Sequence, residues 1–255
     1  MAAPDRPAPS GPTPSADDVR RRVDFPGLLN ARDLGGHPTL DGAVTRWRSL
    51  LRADDLAQLE PHGLQALADL AVETVVDLRW PEEAQRHPSP IPRGLPAVRY
   101  LRVSLLAPSE DEWRLRSEDA GKELWNCVVL ERVRTELRGV LAAIAAAPPG
   151  PLLFHCIAGK DRTGLIAALL LALAEVVPAS IARDYALSGT NLREGYLRRY
   201  ADAEPARILA ALRCPEEGVY NMLKFLAHAG GVRTYLRDIG LSAGEIGALR
   251  ARLRE

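Results

Sequence analysis

The 255-residue chain has three cysteines, no net charge and no apolar run long enough to cross a membrane. Three scattered cysteines argue against a disulfide scaffold and favour a reducing compartment. A formal net charge of zero gives no bulk electrostatic attraction to nucleic acid, so no nucleic-acid partner is predicted. The longest apolar stretch, Gly164 to Val177, contains Glu175 and is shorter than the ~20 residues that span a bilayer, so no stable membrane insertion is expected.

The beginning of the chain also lacks the apolar segment of a secretory signal, which predicts a cytoplasmic protein and leaves export by an unconventional route open. Residues 1–18 are rich in proline, alanine and serine and are predicted to form a disordered tail. Residues 19–255 are predicted to form one domain, since a chain of this length with 47% hydrophobic residues can bury a full core.

Lysine is scarce. Only Lys122, Lys160 and Lys224 are lysines, so 33 − 3 leaves 30 arginines among the basic residues. A cysteine with an arginine six positions later is therefore weak evidence for a functional motif by itself, because arginine is abundant in this chain. Cys127 and Cys214 serve as internal controls, because the residues six positions after them are valine and tyrosine.

Cys156 differs from the other two cysteines because it lies in the segment His155–Gly164, with the sequence HCIAGKDRTG. An apolar run, residues 151–154, precedes this segment, and a long apolar stretch follows it. A strand that turns through a short loop into a helix directs several backbone amides and the positive end of the helix dipole at one point. That point suits an anion. With a cysteine at the mouth of the turn, the pattern predicts a phosphatase.

Each residue type in the segment has a chemical reason. The loop amides, the helix dipole, Lys160 and Arg162 should stabilise the thiolate of Cys156, which is the nucleophilic form. Arg162 offers a planar fork that holds two phosphate oxygens at once. Glycine three positions after the cysteine permits a sharp turn. The predicted phosphate-binding residues are Ile157, Ala158, Gly159, Lys160 and Thr163.

Two supporting roles complete this interpretation of the loop. The hydroxyl of Thr163 is expected to donate to the sulfur and to ease departure of the thiolate. His155 is expected to orient the loop through hydrogen bonds.

Other interpretations of the segment are weaker. A Walker-type phosphate loop requires glycine where Phe154 stands and serine or threonine where Asp161 stands. No Cys-x-x-Cys pair is present, so neither a zinc ribbon nor a thioredoxin-like redox centre is predicted, and His155 and Cys156 have no matching ligands elsewhere, so no metal site is predicted. Two rival functions stay open: a non-catalytic phosphate-binding module, and a thiolate-based arsenate or sulfur enzyme.

The predicted fold is α/β, with a central, mostly parallel sheet flanked by helices. The nucleophile at the end of a buried strand, among alternating strands and helices, is typical of this class. The predicted strands are Val44–Leu51, Thr74–Leu78, Val98–Val103 and Leu152–His155. The predicted helical regions are residues 54–71 (two short helices broken by Pro61), 110–147 (with an apolar stripe over residues 124–144), 164–177, 179–186, 192–201 and 204–255 (with breaks near Gly218, Gly230–Gly231 and Gly240).

The segment His155–Gly164 resembles the loop of the atypical bacterial tyrosine phosphatases. The segments Asn30–Gly36, Leu51–Leu56 and Val75–Arg79, followed by Glu83, resemble further motifs of that family, and the likeness covers roughly residues 23 to 255. The resemblance implies a phosphotyrosine-phosphatase-like fold. It also implies a phosphocysteine intermediate, no cofactor, and phosphorylated protein as substrate, with phosphoserine, phosphothreonine or phosphoinositides accepted by some members.

The resemblance leaves the general acid and the substrate open. Asp161 is the first candidate acid and Asp77 the second, and both are expected to be needed for full activity. Glu82 is a third candidate because Trp80–Glu82 looks like the mobile Trp-Pro-Asp loop of eukaryotic enzymes. Asp77 could instead cap a loop or pair with Arg162 or Arg52. Arg32 and Arg52, which lie in the family's motifs, are expected to support the site from behind.

Two expectations concern access to the site. The added cation of Lys160 would suit a substrate with neighbouring phosphates, such as a phosphoinositide, although phosphotyrosine protein is favoured. The charged segment Pro108–Trp125 is expected to supply a lid over the site.

Overall fold

The computed structural model describes residues 11–106 and 121–254. It contains one five-stranded sheet of order β1-β2-β5-β3-β4. The strands β2, β5, β3 and β4 run parallel, and β1 is antiparallel to β2. This architecture confirms the predicted α/β class with a mostly parallel sheet. The strands are β1 Arg32–Asp33, β2 Leu50–Ala53, β3 Thr74–Asp77, β4 Arg99–Arg102 and β5 Leu152–His155.

The three central strands β2, β3 and β5 are buried at every residue, which explains why their sequences are short apolar runs rather than alternating patterns. Their register places Ala53, Asp77 and His155 side by side at the last position of each strand. Polar groups that follow these strands therefore collect at one edge of the sheet, as α/β folds place their ligands.

The predicted strand Val44–Leu51 is wrong in its bounds, because regular pairing begins only at Leu50. Val44 forms a single bridge with Pro38. Between Val44 and Leu50, Arg48 has a left-handed backbone with φ 56°. Its amide donates to the Asp33 carboxylate at 2.7 Å, which fixes this turn and interrupts the extended chain.

Helices cover both faces of the sheet. A short 3-10 helix, Leu56–Gln58, precedes α2, which starts at Pro61 as the predicted break requires. The helices are α1 Ala16–Arg21, α2 Pro61–Asp69, α3 Pro81–Arg86, α4 Ile91–Gly94, α5 Gly121–Arg132, α6 Arg134–Ala145, α7 Asp161–Leu173, α8 Pro178–Arg199, α9 Pro205–Ala211, α10 Glu216–His228, α11 Val232–Asp238 and α12 Ala243–Leu253.

Two helix predictions need correction. The two short helices predicted over 179–186 and 192–201 form one continuous helix, α8, because Ser188 between them is buried and accepts a hydrogen bond from Arg32 at 3.0 Å. Packing overrides the weak helix propensity there. The break predicted near Gly218 instead falls at Pro215, and Gly218 lies inside α10.

The helix α7 is the centre of the larger core. It is buried along almost its whole length and packs between the sheet and the C-terminal helices. The predicted apolar stripe of residues 124–144 contributes Val129, Leu137, Leu141 and Ile144 to this core, whereas Leu124 is 49% exposed.

The chain before the first strand lies along α8. Thr190 donates to the carbonyl of Pro12 at 2.9 Å, and Arg183 donates to that of Thr13 at 2.6 Å. Helix α1 begins at a capping box formed by Ser15 and Asp18. The predicted domain boundary at residue 18 therefore falls inside this helix, and residues 1–10 lie outside the described part of the chain.

The predicted lid, Pro108–Trp125, lies mostly in residues 107–120, outside the described residues. Its last residues form the start of α5. No helix in the described residues is both long and apolar enough to span a bilayer.

Candidate active site

The loop between β5 and α7, residues 156–160, has its carbonyl groups tied to the protein behind it. The amide of Asp55 donates to the carbonyl of Ile157 at 2.9 Å. The side-chain amide of Asn30 donates to the carbonyls of Ala158 and Gly159 at 3.0 and 3.1 Å. Because these carbonyls face backwards, the amides of residues 157–160 face the other way, and they donate to no other described residue. They form a cup of N–H groups.

Asn30 is itself positioned by Asp54. The buried carboxylate of Asp54 accepts hydrogen bonds from the amides of Leu29 and Asn30 at about 3 Å. Burial raises the pKa of Asp54 even though these amides oppose the shift. Neither Asn30 nor Asp54 belongs to the predicted site, although both fall within the motifs that carry the resemblance.

The loop requires a glycine at position 159. Gly159 has φ 60°, in the left-handed region, and an added Cβ would lie 2.4 Å from the carbonyl oxygen of Ala53. Since that oxygen belongs to a central strand, it cannot move aside. The loop can therefore pass this close to β2 only without a side chain.

Cys156 is buried at the base of a cavity of about 320 Å³. Residues from the loop, from α5 and from the end of α8 line this cavity, and Asp161 and Arg162 are among them. A larger cavity of about 510 Å³ lies near Arg20 and Trp47 and contains none of the predicted site residues. The chemistry therefore favours the smaller cavity.

Arg162, in the first turn of α7, is held by a carboxylate that the predicted site omits. Its two terminal nitrogens lie 2.6 and 2.8 Å from the two carboxylate oxygens of Glu83. Its guanidinium carbon lies 4.9 Å from the ring centre of Trp80. The spacing of Glu83 after the Asp-Leu-Arg motif was the available signal. Glu82, the third candidate acid, is exposed on α3 and does not line the cavity.

Arg32 and Arg52 do lie behind the loop, and both bind one buried carboxylate, Asp184 of α8. The distances are 2.7 Å from Arg32 and 2.6 Å from Arg52. Arg52 also donates to the carbonyl of Gly159 at 2.7 Å. Burial alone would raise the pKa of Asp184, but the two arginines reverse the shift and hold it well below its usual range. Burial lowers the pKa of Arg52 to about 10.

The position of Asp77 does not fit its predicted role as a general acid. Its carboxylate is fully buried, accepts hydrogen bonds from Arg79 and from the hydroxyl of Tyr100, and does not line the cavity. Burial would raise its pKa, but His155, Arg79 and Tyr100 together lower it to about 2. Its arginine partner is Arg79 rather than Arg52 or Arg162, because Arg79 follows it by two residues on the same strand end.

His155 supports the start of the loop. Its Nδ1 lies 3.1 Å from the carbonyl oxygen of Cys156, and its Nε2 lies 3.6 Å from Asp77. Burial lowers the pKa of His155, and the neighbouring Asp77 carboxylate opposes this shift. Because a carbonyl oxygen can only accept, Nδ1 donates this hydrogen bond, which fixes the direction in which the loop leaves the strand.

Lys160 and Asp161 form an ion pair at 2.6 Å on the wall of the cavity. Lys160 is buried and also contacts the carbonyl of Arg213 at 3.5 Å, while Asp161 is partly exposed. Burial would lower the pKa of Lys160, but Asp161 outweighs it and raises the pKa.

Thr163 is buried, and its hydroxyl has no hydrogen-bond partner among the described residues. The predicted donation to the Cys156 sulfur is therefore not formed in this structure. Neither Cys127 nor Cys214 lines the cavity, and burial raises the pKa of both thiols, although Cys214 lies near Lys160 and Asp161 of the cavity wall.

A thiol beneath a cup of amides, with an arginine fixed by a carboxylate and a second carboxylate on the same wall, defines the class of protein as a phosphatase of α/β fold. The chain belongs to the tyrosine phosphatase family, which it matches over residues 23–255. The protein is therefore a phosphoric monoester hydrolase, and the resemblance seen in its motifs is confirmed.

Two curated relatives illustrate this membership, and one solved structure resembles part of the chain. The chain is 31% identical over 231 residues to a tyrosine-protein phosphatase of Nostoc commune, covering 80% of this chain and 74% of that protein. It is 26% identical over 274 residues to the triple specificity protein phosphatase PtpB of Mycobacterium tuberculosis, covering 89% and 97%. The crystal structure of Pseudomonas aeruginosa TpbA is similar with a TM-score of 0.33 and 21% identity, covering 64% of this chain and 85% of that one.

Proposed function

We propose that the protein hydrolyses phosphotyrosine through a phosphocysteine intermediate on Cys156. The observation that carries the proposal is the loop itself, whose carbonyls are bound from behind by Asn30 and Arg52 while its amides face the cavity above the thiol. This polarity suits a phosphoryl group, which carries its charge on the oxygens that the amides would meet.

In the first step the thiolate of Cys156 attacks phosphorus, so that a sulfur–phosphorus bond forms and the bond to the tyrosine oxygen breaks. The fork of Arg162, aligned by Glu83, binds two of the phosphoryl oxygens. The loop amides bind the developing charge. Because these donors are already oriented, little reorganisation is needed during the reaction.

Asp161 is the proposed general acid. It is the carboxylate among the described residues that lines the cavity together with Cys156. Its pairing with Lys160 favours the carboxylate form, whereas a bound phosphate dianion favours the protonated form that can donate to the leaving oxygen. The resulting carboxylate then accepts a proton from the water that attacks the phosphocysteine, which returns Cys156 as thiolate.

Thr163 supports the second step. Its hydroxyl is buried next to the loop, without a hydrogen-bond partner among the described residues. Rotation of this hydroxyl toward the sulfur would stabilise the departing thiolate and would also satisfy a buried polar group.

The aromatic wall of the cavity supports phosphotyrosine as the preferred substrate. Tyr196, in the last turn of α8, and Tyr200, directly after the helix, line the cavity with their ring centres 5.5 Å apart. A phosphotyrosine ring can stack against such a surface, whereas a phosphoserine side chain is too short and too polar to use it. As an extension of the same proposal, the cation of Lys160 supports slower turnover of phosphoinositides, whose neighbouring phosphates it would attract. The similarity to a triple specificity protein phosphatase supports slower turnover of phosphoserine and phosphothreonine.

A profile across phosphotyrosine, phosphoserine and inositol phosphates, run with wild type and Cys156→Ser, tests the function. We expect phosphotyrosine to give the highest kcat/KM and Cys156→Ser to abolish turnover while phosphate analogues still bind. Turnover by Cys156→Ser at the wild-type rate would contradict the proposal.

The acid is tested by leaving-group dependence. Asp161→Asn should lose far more rate on an alkyl phosphate than on an activated aryl phosphate, because only the poor leaving group needs a proton. Asp77→Asn should lose similar rate on both, since it disturbs the fold behind the loop. The reverse pattern would return Asp77 to the acid role.

A further inference from the structure

A second lysine lies in the same cavity as the nucleophile. Lys122, in the first turn of α5, lines the cavity and is half-buried. Its ammonium forms no ion pair with any other described residue. Burial and the neighbouring ammonium of Lys160 lower the pKa of Lys122, and the attraction of Asp161 offsets only part of this shift. Lys160, by contrast, is satisfied by Asp161 at 2.6 Å.

This arrangement is electrostatically incomplete. The ammonium groups of Lys122 and Lys160 are neighbours, and Asp161 already pairs with that of Lys160. Withdrawing the ammonium of Lys122 from water without a partner among the described residues is unfavourable. An anion beside Lys122 would remove both the repulsion and the loss of hydration. The scissile phosphate is not that anion, because the amide cup and Arg162 already provide its ligands.

We propose that Lys122 forms a subsite for a second anionic group next to the scissile phosphate, namely an acidic side chain adjacent to phosphotyrosine in a peptide. This inference rests on the proposed function and adds the sequence context that the enzyme selects. The aromatic wall formed by Tyr196 and Tyr200 binds the phosphorylated residue, and Lys122 of α5, which lines the same cavity, binds its neighbour.

The described surface favours a peptide over a lipid as the source of this anion. Binding to an anionic membrane requires several clustered basic residues, each contributing modestly. The cavity presents two lysines, one of them paired, on a chain whose formal net charge is zero. A single ammonium beside an aromatic wall is sufficient for one acidic side chain.

The test compares two phosphotyrosine peptides that differ only in the residues flanking the phosphotyrosine, aspartate in one and alanine in the other. Wild type should show a kcat/KM about tenfold higher for the acidic peptide, as expected for one charge-assisted contact. Lys122→Gln should reduce this ratio to about one, and Lys122→Arg should preserve it. Lys224→Gln is the matched control, since Lys224 is exposed on α10 and does not line the cavity.

Each other outcome has a distinct meaning. If wild type hydrolyses neither peptide, the proposed function fails. If wild type hydrolyses both and Lys122→Gln leaves the ratio unchanged, the subsite is refuted while the function stands. If Lys122→Gln changes only the ratio between soluble dioctanoyl phosphatidylinositol bisphosphate and monophosphate, the peptide assignment is overturned in favour of a lipid. Equal losses on both peptides with a lowered Tm would show a structural lysine and would also overturn the subsite.

Discussion

Replacing Asp184 with asparagine tests whether the buried carboxylate behind the loop holds the site together. Asp184 has 2% side-chain exposure and binds Arg32 at 2.7 Å and Arg52 at 2.6 Å, themselves 3% and 0% exposed. Asparagine keeps the shape but removes the charge, which leaves two buried guanidinium groups without a carboxylate. Breaking a buried pair in this way costs about 3–5 kcal/mol.

The expected consequence is a fall in Tm of about 6–20 °C, since a chain of this size loses about 2–4 °C per kcal/mol. Activity should fall as well, because Arg52 also holds the carbonyl of Gly159. Thermal and urea unfolding of wild type and variant measure the loss. Glu194→Gln is the control on the same helix, where an exposed pair with Arg198 at 3.7 Å should contribute nothing measurable.

The loss should also depend on pH in a defined direction. Since the folded-state pKa of Asp184 is depressed, its stabilisation is present above the unfolded pKa of about 3.9 and is lost as the pH falls toward the folded value. The difference between wild type and Asp184→Asn should therefore be full at pH 7 and shrink below about pH 4. A difference no larger than that of Glu194→Gln at pH 7 would refute the reasoning.

Three further changes probe other parts of the site. Glu83→Gln should lower kcat about 10–100-fold, because Arg162 loses a charge-assisted partner, and unchanged kcat in steady-state assays would contradict its positioning role. Gly159→Ala should abolish turnover and lower the Tm. Gly247→Ala is the control, since a Cβ added at Gly247 of α12 meets open space, and it should leave both activity and Tm unchanged. An active Gly159→Ala variant would contradict the close packing of the loop on Ala53. Tyr196→Ala should lower kcat/KM on phosphotyrosine peptide about tenfold and on phosphoserine peptide much less, and equal losses would remove the stacking role.

The local part of the site was predictable because it is contiguous in sequence. The strand Leu152–His155, the loop and the helix from Asp161 follow one another directly, so an apolar run, a glycine and a second apolar run are sufficient to place Cys156 and Arg162 together. The parallel order of the sheet follows from the same alternation of strands and helices.

The supporting residues were not predictable in this way, since they come from distant segments. Asp184 lies 132 positions from Arg52, and nothing in the sequence distinguishes it from the other acidic residues. Asp77 was correctly predicted to lie at a strand end. The direction of its carboxylate, however, is set by the hydrogen bonds that Arg79 and Tyr100 donate to it. The continuity of α8 depends in the same way on what its buried residues contact.

The covalent intermediate is the central claim, and acid-quenched mass spectrometry tests it most directly. Wild type and Asp161→Asn are mixed with a phosphotyrosine peptide, quenched within the first turnover and digested. The peptide that contains Cys156 should gain the mass of one phosphoryl group in both proteins and should gain none in Cys156→Ser. Turnover without any phosphorylated cysteine peptide, or with the phosphoryl group on another residue, would contradict the mechanism.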